Sequence, residues 1–249
     1  MRAFVITLAG AIGGAALAVA IIVTMARHGY MPINDRQMQT YLMQHPELAL
    51  AMMGRHEAME KEKEVAQREA TLAKVGQAAF FDPRIAFVTG PADAKKTLVE
   101  FYDYDCPYCR ASLPAMKKFY EAHKNDTRIA LIEFPIEQLH GAGAIFASKA
   151  SLAARRQPDR YLDFHFALMS EEGAMTEEMV FANAAKVGLD MAKLKADMAD
   201  PEITKALNDS IALARKVGID GTPTFIINGR MRPGAFMDDA SISEEMAKS

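Results

Sequence analysis

Residues 96–136 constrain this chain more than any other stretch. "KTLVEFYDY" is a strand-like run of β-branched and aromatic residues, a helix is expected from about Cys106 to His123, and "TRIALIEFPI" is strand-like again. A strand, a helix and a strand in immediate succession make a crossover, which joins strands that run parallel; parallel strands lie in a sheet with helices on its faces. The fold class expected is α/β. "RIAFVTG" adds a short edge strand ahead of this unit. From about residue 139 to 217 the sequence is almost wholly helical, with apolar residues at three and four spacing and breaks at Gly173, Gly188 and Pro201. Strand character returns in "TPTFIINGRMRPGAF", two short strands around Asn228-Gly229, a pair suited to a hairpin turn, and a last helix takes "MDDASISEEMAKS". The domain thus spans 83–249, with a helical insertion at about 139–217.

The only two cysteines, Cys106 and Cys109, sit as Cys-Pro-Tyr-Cys where the first strand gives way to the helix. Two thiols placed blindly would fall three apart only about once in a hundred trials, so the spacing carries information. At a helix amino terminus the unpaired N–H groups and partial positive charge favour thiolate over thiol, which makes Cys106 the expected nucleophile. Cys109, about one turn further in and less exposed, is placed to resolve a mixed disulfide. Pro107 gives up an N–H that a first-turn residue leaves unpaired anyway, and Tyr108 brings a ring and a hydroxyl near the sulfur. Structural zinc needs four ligands, and the six histidines at 28, 45, 56, 123, 140 and 165 show no ligand spacing, so no metal is expected. A bridge closing so short a loop would stabilise the fold very little.

Taken together, "LVEFYDYDCPYC", the helix after it, the helical insertion and "GIDGTPTF" resemble the exported, disulfide-handling branch of the thioredoxin superfamily, the DsbA-like proteins, over roughly residues 83–249. Two separated elements carry the likeness: Cys-Pro-Tyr-Cys at a helix start, and Thr222-Pro223 about 115 residues later at the start of a strand. The resemblance implies a thioredoxin fold and a redox-active Cys106–Cys109 disulfide, with no other cofactor. It implies a cis Pro223 facing the catalytic sulfur, with the Thr222 backbone turned to pair with a client strand. Thr before that proline resembles the isomerase-type members. Glu100 matches the acidic residue that relatives carry in the strand before the motif; alternation puts it on one face with Leu98 and Tyr102, as a buried carboxyl relaying protons to or from Cys109. Asp103 and Asp105 stand where relatives often have aromatic residues, and their charge is expected to raise the Cys106 pKa somewhat. His140 reads as a loop residue and His165 as a packing residue, neither with a nameable partner.

Ahead of the domain, Ala3 to Ala26 carries no charge over 24 residues. That exceeds the about 20 residues that cross a bilayer as a helix, so residues 1–28 read as a transmembrane signal-anchor, with a cleaved signal peptide as the other reading. Either exports the rest to the periplasm, anchored in the inner membrane in the first case. Residues 33–80 read as an extended helical segment, one helix running from Pro46 to Phe81 with Met52, Met59, Val65 and Leu72 near heptad spacing. It is either a linker or an oligomerisation segment similar to that of the trimeric suppressor-of-copper-sensitivity (ScsC-like) relatives, giving a homo-oligomer. Lys+Arg 29 against Asp+Glu 32, a net charge of −3, offers no electrostatic case for nucleic acid.

The function expected is a periplasmic thiol-disulfide oxidoreductase, oxidase or isomerase, acting on exported cysteine-containing clients with a DsbB- or DsbD-like membrane redox partner. Two rival readings are a redox-inert oligomeric chaperone or scaffold, and a copper-handling protein using the thiols with methionines.

Overall fold

A computed structural model describes residue 21, residues 23–25 and residues 35–248. Apart from residues 21 and 23–25, the expected membrane segment lies outside the described residues. Among those described, no helix is long and apolar enough to cross a membrane. The chain divides into two units, Met1–Glu62 and Lys63–Ser249.

The described part of the first unit is helical: α1 (Asp35–Gln44), then α2 (Pro46–Val75), whose proline fits a first turn and which runs on into the second unit. Met52, Met59 and Val65 on α2 are exposed, whereas Leu72 is buried in the core of the second unit. The heptad-like series therefore ends in a residue that packs within the domain. The helix stops at Val75, short of the expected Phe81. Gly76 adopts φ 79°, a left-handed value that glycine tolerates, and donates its N–H to the Leu72 carbonyl. A single 3₁₀ turn, Gln77–Phe81, then drops Phe80 and Phe81 into the core.

The second unit is built on a five-stranded sheet in the order β1-β3-β2-β4-β5. Its strands are β1 (Ala86–Thr89), β2 (Lys96–Tyr102), β3 (Thr127–Glu133), β4 (Thr224–Ile227) and β5 (Arg230–Pro233). β2 and β3 are parallel, as the crossover requires, with Glu100 opposite Leu131; the other three pairings are antiparallel. Alternation sorts the strand residues into two cores. Leu98, Tyr102, Ile129, Leu131, Phe225 and Ile227 face one, and Val99, Phe101, Ala130, Ile132 and Ile226 face the other. The β4–β5 hairpin turns on Asn228 (φ 47°) and Gly229 (φ 85°), as the sequence indicated. Asn228 also fastens the turn: its Oδ1 accepts from the Thr97 N–H and its amide donates to the Met246 carbonyl.

The crossover helix α3 (Pro107–His123) packs on the first core beside the last helix, α10 (Asp239–Ala247). The insertion supplies α4 (Glu137–His140), α5 (Ala142–Ala154), α6 (Pro158–Met169), α7 (Glu177–Lys186), α8 (Met191–Met198) and α9 (Pro201–Lys216). Small residues make α5 the hub: Ala144, Ala147, Ala150 and Ala153 are fully buried while α6, α7, α8 and α9 all pack against it. Thr176, Asp190, Asp200 and Asp238 cap the amino termini of α7, α8, α9 and α10 through their side chains, each worth about 1 kcal/mol.

Candidate functional site

The thiols lie where the sequence put them, at the carboxyl end of β2 and the start of α3. Cys106 is the N-cap residue in extended conformation (φ −75°, ψ 117°), and Pro107 takes the first helical position. No side chain caps this terminus, so the sulfur itself occupies the place where the first N–H groups converge. The Cys106 pKa falls to about 5. The Cys109 thiol hydrogen-bonded to it is the main cause, followed by Thr222 and the N–H groups of Cys109 and Tyr108, against a burial that pushes the other way. Cys109 goes in the opposite direction, well above the usual thiol value, because it is buried and faces the charges of Cys106 and Glu100. The two sulfurs are thus sorted into a ready nucleophile and a protonated partner, both as free thiols.

Across from the sulfur, the Thr222-Pro223 peptide bond is cis. The Thr222 carbonyl accepts from Cys106 Sγ at 3.1 Å. The Thr222 hydroxyl is buried with no hydrogen-bond partner. Cys106, Cys109, Thr222 and Pro223, far apart in sequence, therefore form one site. Tyr108 stands at its mouth, 67% exposed. Glu100 is buried on the floor, on the face shared with Leu98 and Tyr102 as alternation indicated, and lines one cavity with Cys109. Burial, and after it the charge of Cys106, raises its pKa to about 8.

Asp103 and Asp105 have partners outside the thiol pair, and neither is among the main causes of the Cys106 shift. The buried Asp103 carboxylate accepts from the N–H groups of Asp105 and Ile136 and pairs with His140 Nδ1 at 2.6 Å. Asp105 accepts from the Met175 N–H at 2.6 Å and pairs with Arg110, which also donates to the carbonyls of Tyr104 and Gly173. These groups fasten the active-site loop to the β3–α4 and α6–α7 loops, and Cys106 is acidic in spite of them. His140 and His165, given no partner by the sequence, have Asp103 and Tyr104 respectively. A buried cluster of Tyr102, Tyr104, Glu133, Ser151, Arg155 and Tyr161 behind the site was also not foreseen. Its only sequence trace is a glutamate and an arginine inside otherwise apolar segments. Among the described residues no group of three or more His, Cys, Asp or Glu side chains is placed to hold a metal.

A mixed sheet with two thiols of opposed acidity at a helix start, facing a cis proline, defines a thioredoxin-class thiol-disulfide exchange site. The DSBA-like thioredoxin domain matches residues 97–241, more than half of the chain, and the chain belongs to that family of thiol-disulfide oxidoreductases. Among solved structures it is similar to a thioredoxin-like oxidoreductase from Silicibacter pomeroyi DSS-3, with 37% identity and TM-score 0.63, covering 70% of this chain and 96% of that one. BcfH of Salmonella enterica Typhimurium gives 26% identity and TM-score 0.70 over 93% of this chain and 98% of that one. A periplasmic thioredoxin-like protein from Salmonella enterica serovar Typhimurium gives 28% and 0.58 over 69% and 93%. Among curated relatives, a Na(+)/H(+) antiporter NhaA of Herminiimonas arsenicoxydans is 31% identical over 157 residues, 62% of this chain and 24% of that protein. The chain thus spans about a quarter of the length of the antiporters it matches.

Proposed function

We propose that this chain is an exported thiol-disulfide oxidoreductase that passes a Cys106–Cys109 disulfide to, or takes one from, cysteine-containing client proteins in the periplasm. The observation that carries the reading is the opposed acidity of the two thiols: Cys106 near 5 and Cys109 well above the usual value, with Thr222-Pro223 against the reactive sulfur. In the oxidising direction a client thiolate attacks Cys106 Sγ, the Cys106–Cys109 bond breaks, and Cys109 leaves as a thiolate that takes a proton from Glu100. A second client thiolate then attacks the client sulfur of the mixed disulfide, forming the client disulfide and releasing Cys106 as a thiolate that is stable at neutral pH. In the isomerising direction the Cys106 thiolate attacks a client disulfide, and Cys109 or another client thiol releases it. A stable Cys106 thiolate favours the reduced form, which supports donation of the disulfide.

Pro107 and Tyr108 at the mouth and the Thr222 backbone are the groups placed to contact the client. The uncharged run of Ala3 to Ala26 supports export and anchoring in the inner membrane, and a DsbB- or DsbD-like partner would reset the disulfide. The helical part of residues 33–80 serves as a linker or self-association segment, with its end from Leu72 onward packed into the domain core.

The test is an assay of the full chain on a reduced client and on one with scrambled disulfides. Activity on either that is lost in Cys106→Ala supports the reading; activity retained without Cys106 refutes it in favour of a redox-inert chaperone.

A further inference from the structure

Behind the thiol pair runs a buried polar relay that ends at the cavity shared by Cys109 and Glu100. It starts at Glu133 on β3, whose carboxylate accepts from Tyr102 Oη and Ser151 Oγ, each at 2.7 Å, and pairs with Arg155 on its other oxygen. A carboxylate has no proton to give, so the direction of every further bond is fixed outward from it. Ser151 donates to Glu133, so its oxygen accepts, and Tyr104 donates to it at 2.8 Å. The Tyr104 oxygen must then accept from His165 Nδ1 at 2.9 Å, and Nδ1 carries the ring proton. Burial above all, with the charges of Arg155 and Lys117, lowers the His165 pKa to about 3, so the imidazole is neutral and its Nε2 is a bare lone pair. Nε2 has no hydrogen-bond partner among the described residues.

His165 lines the same cavity as Glu100 and Cys109, between otherwise mostly apolar walls such as Leu113, Met116 and Leu131. The cavity has room for water and offers it a carboxyl, a thiol and an imidazole as partners. We propose that His165 is a positioning residue for the resolving half of the exchange: its Nε2 accepts from a water in this cavity and orients it to carry a proton between Cys109 and Glu100. The inference rests on the exchange reading above and adds a residue to it. The step balances without any further reactant. In the mixed disulfide Cys106 carries no charge, which removes one of the two causes that hold the Glu100 proton and favours its ionised form. The Cys109 proton then passes through the water to that carboxylate, the Cys109 electron pair forms the bond to Cys106 Sγ, and the client sulfur leaves with the electrons of the broken bond. Tyr104, held by the Ser151–Glu133 chain, serves to keep the proton on Nδ1 and so leaves the other nitrogen as the acceptor.

Two positions test this in the full chain. His165→Asn keeps a donor where Nδ1 stands but has nothing at the place of Nε2, and His165→Gln returns an amide there. Tyr104→Phe leaves the cavity wall intact and removes the acceptor that fixes the tautomer. With a disulfide-bonded peptide as substrate, the rates of mixed-disulfide formation by Cys106 and of its release by Cys109 are measured separately. Losing one well-placed hydrogen bond corresponds to about a tenfold slower release in His165→Asn and a smaller loss in Tyr104→Phe, with attack by Cys106 within about twofold of wild type and partial recovery in His165→Gln. Release at the wild-type rate in both His165→Asn and Tyr104→Phe overturns the proposal. So does a parallel fall of both rates, which would mean a purely structural role. Absence of any mixed disulfide in the wild-type protein overturns the exchange reading and this inference with it.

Discussion

The acidity of Cys106 is assigned above chiefly to one donor, the Cys109 thiol, and replacing that donor measures the assignment. Cys109→Ser keeps a hydroxyl beside the sulfur, while Cys109→Ala removes the donor and leaves the helix terminus and Thr222 in place. A hydrogen bond to a charged acceptor is worth about 1.5–3 kcal/mol, and one pKa unit corresponds to about 1.4 kcal/mol, so the loss amounts to about one to two units. The sign follows from the thiolate being the stabilised form: without the donor the proton is held more tightly and the pKa rises. Thiolate absorbance near 240 nm, followed over acidic to mildly basic pH, should give a midpoint close to 5 in Cys109→Ser and about 6–7 in Cys109→Ala. Each variant keeps a single thiol, so the signal belongs to Cys106 alone. Identical midpoints in the two variants would show that the helix terminus does the work unaided. A midpoint near about 8.5 in both would remove the basis for calling Cys106 activated.

Further outcomes follow from the same geometry. With Cys106 titrating near 5 and Cys109 far above, the reduction potential should fall by about 59 mV per pH unit below that point and by about 30 mV between there and neutrality. A single slope throughout would contradict the separation of the two thiols. Glu100 is protonated in the folded state up to about pH 8 but ionises near 4.5 when unfolded, so unfolding releases a proton in that window and stability falls as pH rises through it. Denaturant titrations should therefore show Glu100→Gln gaining on wild type between pH 4 and pH 8, by about 4 kcal/mol, and a constant difference would refute the burial argument. Arg155→Met strands the buried Glu133 carboxylate and should cost about 3–5 kcal/mol in the same measurement; a loss below about 1 kcal/mol would show that the pair contributes little.

The elements that set the fold were legible because their signals are local. The crossover 96–136, the Asn228-Gly229 turn and the insertion bounded near 139 and 217 all depend on periodicity and turn chemistry. The burial of Glu100 was legible too, since a central strand leaves an alternate residue nowhere else to point. The end of α2 was missed because Gly76 sits within a run of good helix formers, and only its φ, fixed by the 3₁₀ turn packing Phe80 and Phe81, makes it a terminator. The roles of Asp103, Asp105, His140 and His165 could not be read because their partners lie on other elements, 33 to 70 residues away in Asp103–Ile136, Asp103–His140, Asp105–Met175 and Tyr104–His165. A local charge rule sees Asp103 and Asp105 only as neighbours of the thiolate, and the tertiary hydrogen bonds that engage both carboxylates lie beyond its reach.

The sheet of this domain ends in two open borders, and they differ in how they treat a passing polypeptide. β1 offers only four residues, and β5 carries Arg230, Arg232 and Pro233 in a strand of the same length. Cationic side chains and a missing amide make β5 a poor template for adding another chain, which is how natural sheets resist clumping edge to edge. An unfolded polypeptide brought close to this molecule thus finds no ready template along that flank, which leaves the half-buried Thr222-Pro223 segment beside Cys106 without a competing edge in the exchange proposed above.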